Sequence, residues 1–143
     1  MGLVHVKMRV RGERARAREI ELLVDSGAIY SVLPERIWRA LRLRATRELE
    51  FSLADGTLIG RRVSDCRFEY RGIEAPSPVV LGEGPDAALL GTVTLESLGL
   101  VLNPFDRTLH PMRLVLAAFA GTRTISNGHD GSVGASEARM RCG

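Results

Sequence analysis

From residue 3 the chain alternates, with Val4, Val6, Met8 and Val10 on one side and His5, Lys7 and Arg9 on the other. That period of two predicts a half-buried β-strand over Leu3–Arg11. The stretch GERARAREIELLV reads as a turn followed by a second strand, Arg18–Val24, the hairpin partner of the first. Pro34 suits the first turn of a helix, and PERIWRALRLR sets Ile37, Trp38 and Leu41 at helical spacing. Two alternating runs flank Ala54-Asp55-Gly56 in ELEFSLADGTLIGRRVSDCRFEYRG, which predicts a hairpin. Further strands are expected near Val63–Tyr70 and Pro78–Leu81. PDAALLGTVTLESLGLVLNP gives a short apolar run, a glycine, and a helix over Thr92–Leu98 that Gly99 stops. Leu100–Leu102 is then a strand, and DRTLHPMRLVLAAF offers one or two more. From Gly121 onward the periodicity fades into a Gly- and Ser-rich stretch. The expectation is one mainly β domain with short helices over residues 1–120 and a flexible tail over 121–143.

Composition narrows the class. With 143 residues, 45% hydrophobic and 26% charged, the chain suits a single globular core. No apolar run reaches the roughly 18 residues that cross a bilayer; Leu114–Ala120 is among the longest. MGLVHVKMRVRG lacks the basic-then-apolar order of a secretory signal. Val6 and Lys7 stand where an acylation signal beginning at Gly2 wants Ser or Thr. A cytoplasmic protein with no membrane partner is expected.

Cys66 and Cys142 do not make a disulfide framework, and Cys66 reads as a small filler on a strand. His5, His110 and His129 lie far apart and without neighbouring cysteines, so neither a metal site nor a cofactor is expected. Of 20 basic residues 19 are Arg, clustered at Arg9–Arg18 and Arg36–Arg47. Glutamates interrupt both clusters and no aromatic interleaves them, so they read as solvated faces without a nucleic-acid partner.

The candidate chemistry sits in LLVDSGAIYSVLP, Leu22–Pro34. Val24 and Val32 flank Asp25, and an apolar setting makes a carboxylate costly to bury without compensation. Gly27 permits a turn that a side chain would block. Ser26 can hydrogen-bond locally, and Ala28 keeps the loop small. Taken alone, Asp25-Ser26-Gly27 is an Asx turn joining two strands, and Ala54–Thr57 is an ordinary exposed hairpin.

Three motifs together resemble the retropepsin-like aspartic proteases, the retroviral enzymes and their cellular and bacterial relatives. Asp25-Ser26-Gly27-Ala28, between Leu22-Leu23-Val24 and Ser31-Val32-Leu33-Pro34, looks like the catalytic loop. Leu53-Ala54-Asp55-Gly56-Thr57 sits where bacterial relatives carry their flap. Leu89-Leu90-Gly91 and the helix after it look like the element that closes the family's fold. Order and spacing agree over about residues 3 to 110.

The resemblance implies an acid-protease half-barrel completed as a homodimer, hydrolysing peptide bonds without a cofactor. Such enzymes use two facing carboxylates that share a proton, as in the aspartic-protease dyads from which the general rule is drawn. Only one D-[ST]-G occurs here, so the dyad would take Asp25 from each of two copies. Ser26 would tie the two loops together, Gly27 would offer its backbone to an extended peptide, and Ala28 and Ile29 would complete the active-site loop. Ala54, Asp55, Gly56 and Thr57 would form the flap; Leu89, Leu90 and Gly91 would support the loop from below.

Some places depart from the retroviral pattern. Ile29 and Thr92-Val93 replace an acidic and a basic residue that prop the retroviral dimer, and the flap tip has one glycine instead of several. Tyr30 is expected to pack on the helix and Trp38 in the core. The alternative is a catalytically inactive β-rich dimerisation or peptide-binding module on the same scaffold.

Overall fold

Strands β1 (His5–Arg11) and β2 (Arg18–Val24) pair antiparallel, with His5 opposite Leu23 and Val10 opposite Arg18. This is the expected first hairpin. Met8 and Val10 are buried while His5, Lys7 and Arg9 are exposed, so the alternation in sequence becomes an inside and an outside. The computed structural model describes residues 3–113. Leu114–Ala120, the second of the possible final strands, the 121–143 tail, His129 and Cys142 lie outside the described residues.

After β2 come β3 (Ser31–Leu33) and helix α1 (Glu35–Ala40). Pro34 stands just before the helix, at φ −64° and ψ 158°, not inside its first turn. Its ring fixes a φ compatible with either place; the extended ψ is what excludes it from the helix. Ile37, Trp38 and Leu41 are all buried, as their spacing predicts.

β4 (Arg47–Ser52) and β5 (Leu58–Tyr70) form the second hairpin, in register from Arg47 opposite Val63 to Ser52 opposite Leu58. β5 joins the hairpin's second arm and the strand expected near Val63–Tyr70 into one, and β6 (Ile73–Leu81) starts well before Pro78. Pro76 and Pro78 mask that strand in sequence. They are tolerated because β6 pairs with β3 only over Val79–Leu81, leaving the earlier residues with β5 alone.

β7 (Leu89–Leu90), α2 (Thr92–Leu98), β8 (Leu100–Asn103) and β9 (Thr108–Pro111) complete the described residues. Gly99 ends α2 in the left-handed region at φ +70°, as expected.

The large sheet runs β1-β2-β7-β3-β6-β5-β4, and an additional pairing joins β1 to the next-to-last strand, β5, with Val10 opposite Phe68. Six strands thus close a ring and β4 remains its projecting edge. β8 and β9 make a separate two-stranded sheet. The described protein is therefore mainly β, with two short helices.

The core lies inside this ring. Met8, Leu22, Leu33, Leu41, Phe68, Leu81 and Leu90 are fully buried, each contributing about 1.5–3 kcal/mol of apolar burial. Trp38 belongs to it, and its indole N–H donates to the Gly82 carbonyl at 2.9 Å. Cys66 is buried there too, and the loss of water pushes its thiol up to about 12. It fills space, as read from sequence. Among the described residues, no helix is long and apolar enough to cross a membrane.

Candidate functional site

The loop Asp25–Tyr30 leaves the end of β2 and returns as β3. Short strand β7 slots between the two, parallel to β2 (Val24 opposite Leu90) and antiparallel to β3 (Val32 opposite Leu89). The Asp25 N–H donates to the Leu90 carbonyl at 3.1 Å, and the Leu23 N–H to the Ala88 carbonyl at 3.0 Å. The first residues of α2 hold the other side. Thr92 N–H donates to Ala28 O at 2.9 Å and Val93 N–H to Ile29 O at 3.0 Å.

Gly91, between β7 and α2, explains the pattern Leu89-Leu90-Gly91. A Cβ there would lie 2.6 Å from the Ile29 carbonyl oxygen and 2.6 Å from the Tyr30 carbonyl carbon, both backbone. No side chain fits, and the close approach is what lets the loop rest on the helix.

Within the loop, Asp25 Oδ1 accepts from the Gly27 N–H at 2.9 Å and the Asp25 carbonyl accepts from the Ala28 N–H at 3.0 Å. The Asx turn expected of the bare tripeptide is thus present, on a base far more tied down than an isolated turn has. Asp25 itself is half-buried, which corrects the expectation of a buried carboxylate. Val24 and Val32 are themselves only partly covered, because the chain has reached the end of the ring at this point. Ser26 and Gly27 are exposed, Ala28 is half-buried, and Ile29 is 65% exposed.

Beneath the loop is a polar cluster that sequence reasoning missed. Ser31, Thr94 and Ser77 are buried. The Thr94 hydroxyl meets both the Ser31 and Ser77 hydroxyls, the latter at 2.8 Å. Ser31 Oγ also accepts from the Gly91 N–H at 2.9 Å. A buried hydroxyl without a partner costs about 1–3 kcal/mol, so the mutual bonding fixes β3, β6 and α2 against one another. The three residues are separated along the chain, and no local pattern announces them.

Beside the loop opens a groove of about 690 Å³. Gly27, Ala28 and Ile29 form one wall and Leu49, Phe51 and Leu53 the facing one. Asp25 is not among the lining residues but lies two positions from Gly27, which is. Leu89 also lines the groove while Leu90 is wholly in the core, so the pair divides between surface and interior. Alternation along β4 turns Leu49 and Phe51 inward, a signal already present in ELEFS.

Two further contacts shape this groove. Tyr30 packs edge-to-face on Phe51, with ring centroids 6.1 Å apart. The ring thus reaches the second hairpin and lines the groove, a contact the sequence did not suggest. Arg61 and Asp86 form a two-pronged ion pair on the groove wall, at 2.8 Å (Nε to Oδ2) and 3.3 Å (Nη2 to Oδ1). The Arg61 guanidinium holds the Asp86 carboxyl below its ordinary value. Neither residue stands out in sequence, since 25 positions separate them.

The expected hairpin tip is a turn. Leu53 N–H donates to Thr57 O at 2.8 Å and Gly56 N–H to Leu53 O at 2.9 Å, with Gly56 at φ +89°. Hydrogen bonds from the Thr57 hydroxyl, then from its backbone, hold the exposed Asp55 carboxyl below its ordinary value. Ala54, Asp55, Gly56 and Thr57 are all exposed and outside the groove lining. The arms of the hairpin, not its tip, face the loop.

Among the described residues, no group of three or more His, Cys, Asp or Glu stands close enough to hold a metal ion. No protein-family model matches the chain, and a search of curated proteins finds no match.

Proposed function

We propose that the chain is a retropepsin-like aspartic endopeptidase, working in the cytoplasm as a homodimer with one Asp25 from each copy in a shared dyad. The observation that carries the reading is the Asp25–Tyr30 loop, pinned by Leu90, Thr92 and Val93 and standing beside an apolar groove whose other wall is an arm of the second hairpin. A rigidly held carboxylate next to a peptide-sized groove is what proton transfer to and from a water requires.

In the proposed reaction one Asp25 carboxylate removes a proton from water while the water oxygen bonds to the scissile carbonyl carbon. The other Asp25, protonated, donates to the carbonyl oxygen. The intermediate then collapses: the C–N bond breaks as the first Asp25 passes the proton it took from water to the amide nitrogen, and the second Asp25 takes back a hydroxyl proton as the C=O bond re-forms. Two close carboxylates share a proton because both cannot ionise cheaply, so they titrate as a unit. Ser26 is the residue through which the paired loops would bond to each other, and Gly27, Ala28 and Ile29 would bed an extended peptide. The 54–57 turn, as flap, would add main-chain bonds to that peptide and exclude water. The apolar lining favours substrates with bulky apolar side chains.

One observation favours the alternative, an inactive peptide-binding module. Asp25 Oδ1 already accepts from Gly27 N–H, as an ordinary structural Asx turn would. A peptide-library digest across about pH 3 to 7 separates the two readings. The peptidase reading expects cleavage by the wild type and loss of about a thousandfold or more in Asp25→Asn, with the dimer intact. Equal cleavage by both proteins, or none by either, refutes it.

A further inference from the structure

A second feature lies on the part of the surface where β5 leaves the hairpin. Two adjoining clefts, of about 450 and 360 Å³, share Arg14, Arg42, Leu43 and Arg44 in their walls. These residues come from two separate loops held together by close packing. A Cβ on Gly12 would stand 2.7 Å from Leu43 Cδ2 and 3.1 Å from the Leu41 carbonyl, so the first loop sits directly on the second. The second loop is fixed in turn. Leu43 packs against the core, the Ser64 hydroxyl donates to Arg44 O at 2.6 Å, and Thr46 N–H donates to Val63 O at 2.8 Å. With Leu43 turned inward, the exposed Arg42 and Arg44 flank it on the outside.

The charges there are unbalanced. Arg11 and Arg67, also lining the larger cleft, share the single carboxylate of Glu74, and Arg39 is paired with Glu35. Arg14, Arg42 and Arg44 enter no ion pair among the described residues. Glu13 and Asp65 stand at the larger cleft and only partly offset the arginines.

Arg42 also holds its backbone at φ +58°, in the left-handed position just after α1. Its N–H donates to Arg39 O and the Leu43 N–H to Trp38 O, closing a turn in which glycine is the unstrained residue. A charged side chain thus occupies a position that suits glycine best.

We propose that this arginine cleft binds an acidic polypeptide segment of a partner protein, with Arg14, Arg42 and Arg44 gripping its carboxylates. Guanidinium forks match carboxylates two bonds at a time, and a preset cleft loses little freedom on binding. A single-stranded nucleic acid fits less well, because among the described residues no aromatic face at these clefts is free for a base. Trp38 lines the smaller cleft but is buried, and the guanidinium carbons of Arg39 and Arg62 lie 4.7 and 5.4 Å from its ring centroid. The site stands whether or not Asp25 acts in catalysis.

The test uses the full chain and a fluorescein-labelled hexaglutamate peptide, followed by anisotropy at two salt concentrations. Saturable binding that weakens with salt is expected. Arg42→Gly is expected to weaken it about threefold to fivefold without lowering the melting temperature. Arg71→Gly is the matched control. Arg71 is likewise an arginine in the left-handed region, at φ +51°, away from these clefts; its substitution leaves binding unchanged. No binding of hexaglutamate, equal binding by Arg42→Gly, or tighter binding of a six-nucleotide single strand overturns the proposal.

Discussion

The two sides of the groove are built on opposite principles. Under the Asp25 loop, strand β7 and helix α2 bond the chain from both flanks, and Ser31, Ser77 and Thr94 lock the elements below. Across the groove, the 53–57 turn is closed by local bonds alone and projects from β4, the sheet's unpaired edge. Bonds from distant elements hold the loop, whereas bonds between near neighbours close the turn. Comparing substitutions on the two sides measures that contrast.

The largest difference is expected between two glycines. Gly91→Ala drives a methyl group into the Ile29 and Tyr30 backbone and should cost more than about 3 kcal/mol in urea unfolding, or prevent folding. Gly56→Ala meets nothing within 4 Å; only its left-handed φ is penalised, at about 1 kcal/mol. Equal costs would show that the two sides are not differently constrained.

Next comes the buried hydroxyl cluster. Thr94→Val keeps the shape but strips Ser31 and Ser77 of a shared partner, and a loss of about 1–3 kcal/mol is expected. The corresponding change at the tip, Thr57→Val, should leave the unfolding midpoint almost where it was. A neutral Thr94→Val would mean that the cluster does not fix the loop.

The smallest effect is one of pH. Arg61 lowers the Asp86 carboxyl in the folded protein, so the pair stabilises the fold above the ordinary carboxylate value near about 4. That contribution is lost as pH falls through the lower, folded value. Asp86→Asn should flatten the acid limb of the stability profile, by less than about 1 kcal/mol given the partial exposure of the pair. An unchanged acid limb would remove the pair from the account of the groove wall.

The legibility of these regions in sequence differs for the same reason. Features set by a residue's own neighbours could be read in advance: the alternation of β1, the turn at Asp55-Gly56, and helix α2 with its stop at Gly99. Gly91 was visible as a pattern, though its cause, contact with Ile29 and Tyr30, emerges only when β7 slots between β2 and β3. What joins distant stretches was hidden. The Ser31–Thr94–Ser77 cluster, the Arg61–Asp86 pair and the Tyr30–Phe51 contact each join stretches far apart in the chain that only the folded protein brings together. The extent of β6 was obscured by Pro76 and Pro78, which sit where one side of the strand is unpaired with β3. Burial of Asp25 was overestimated, because flanking valines indicate a strand end as readily as an interior.

The central claim is that each chain carries half of a catalytic centre. Its most direct test is to co-refold a fixed amount of wild-type chain with increasing amounts of Asp25→Asn and to measure peptide cleavage. If the dyad takes one carboxylate from each copy, mixed pairs are inactive and cleavage falls steadily as the variant is added. Cleavage that stays constant under a large excess of Asp25→Asn would contradict the account, since a single chain would then be sufficient.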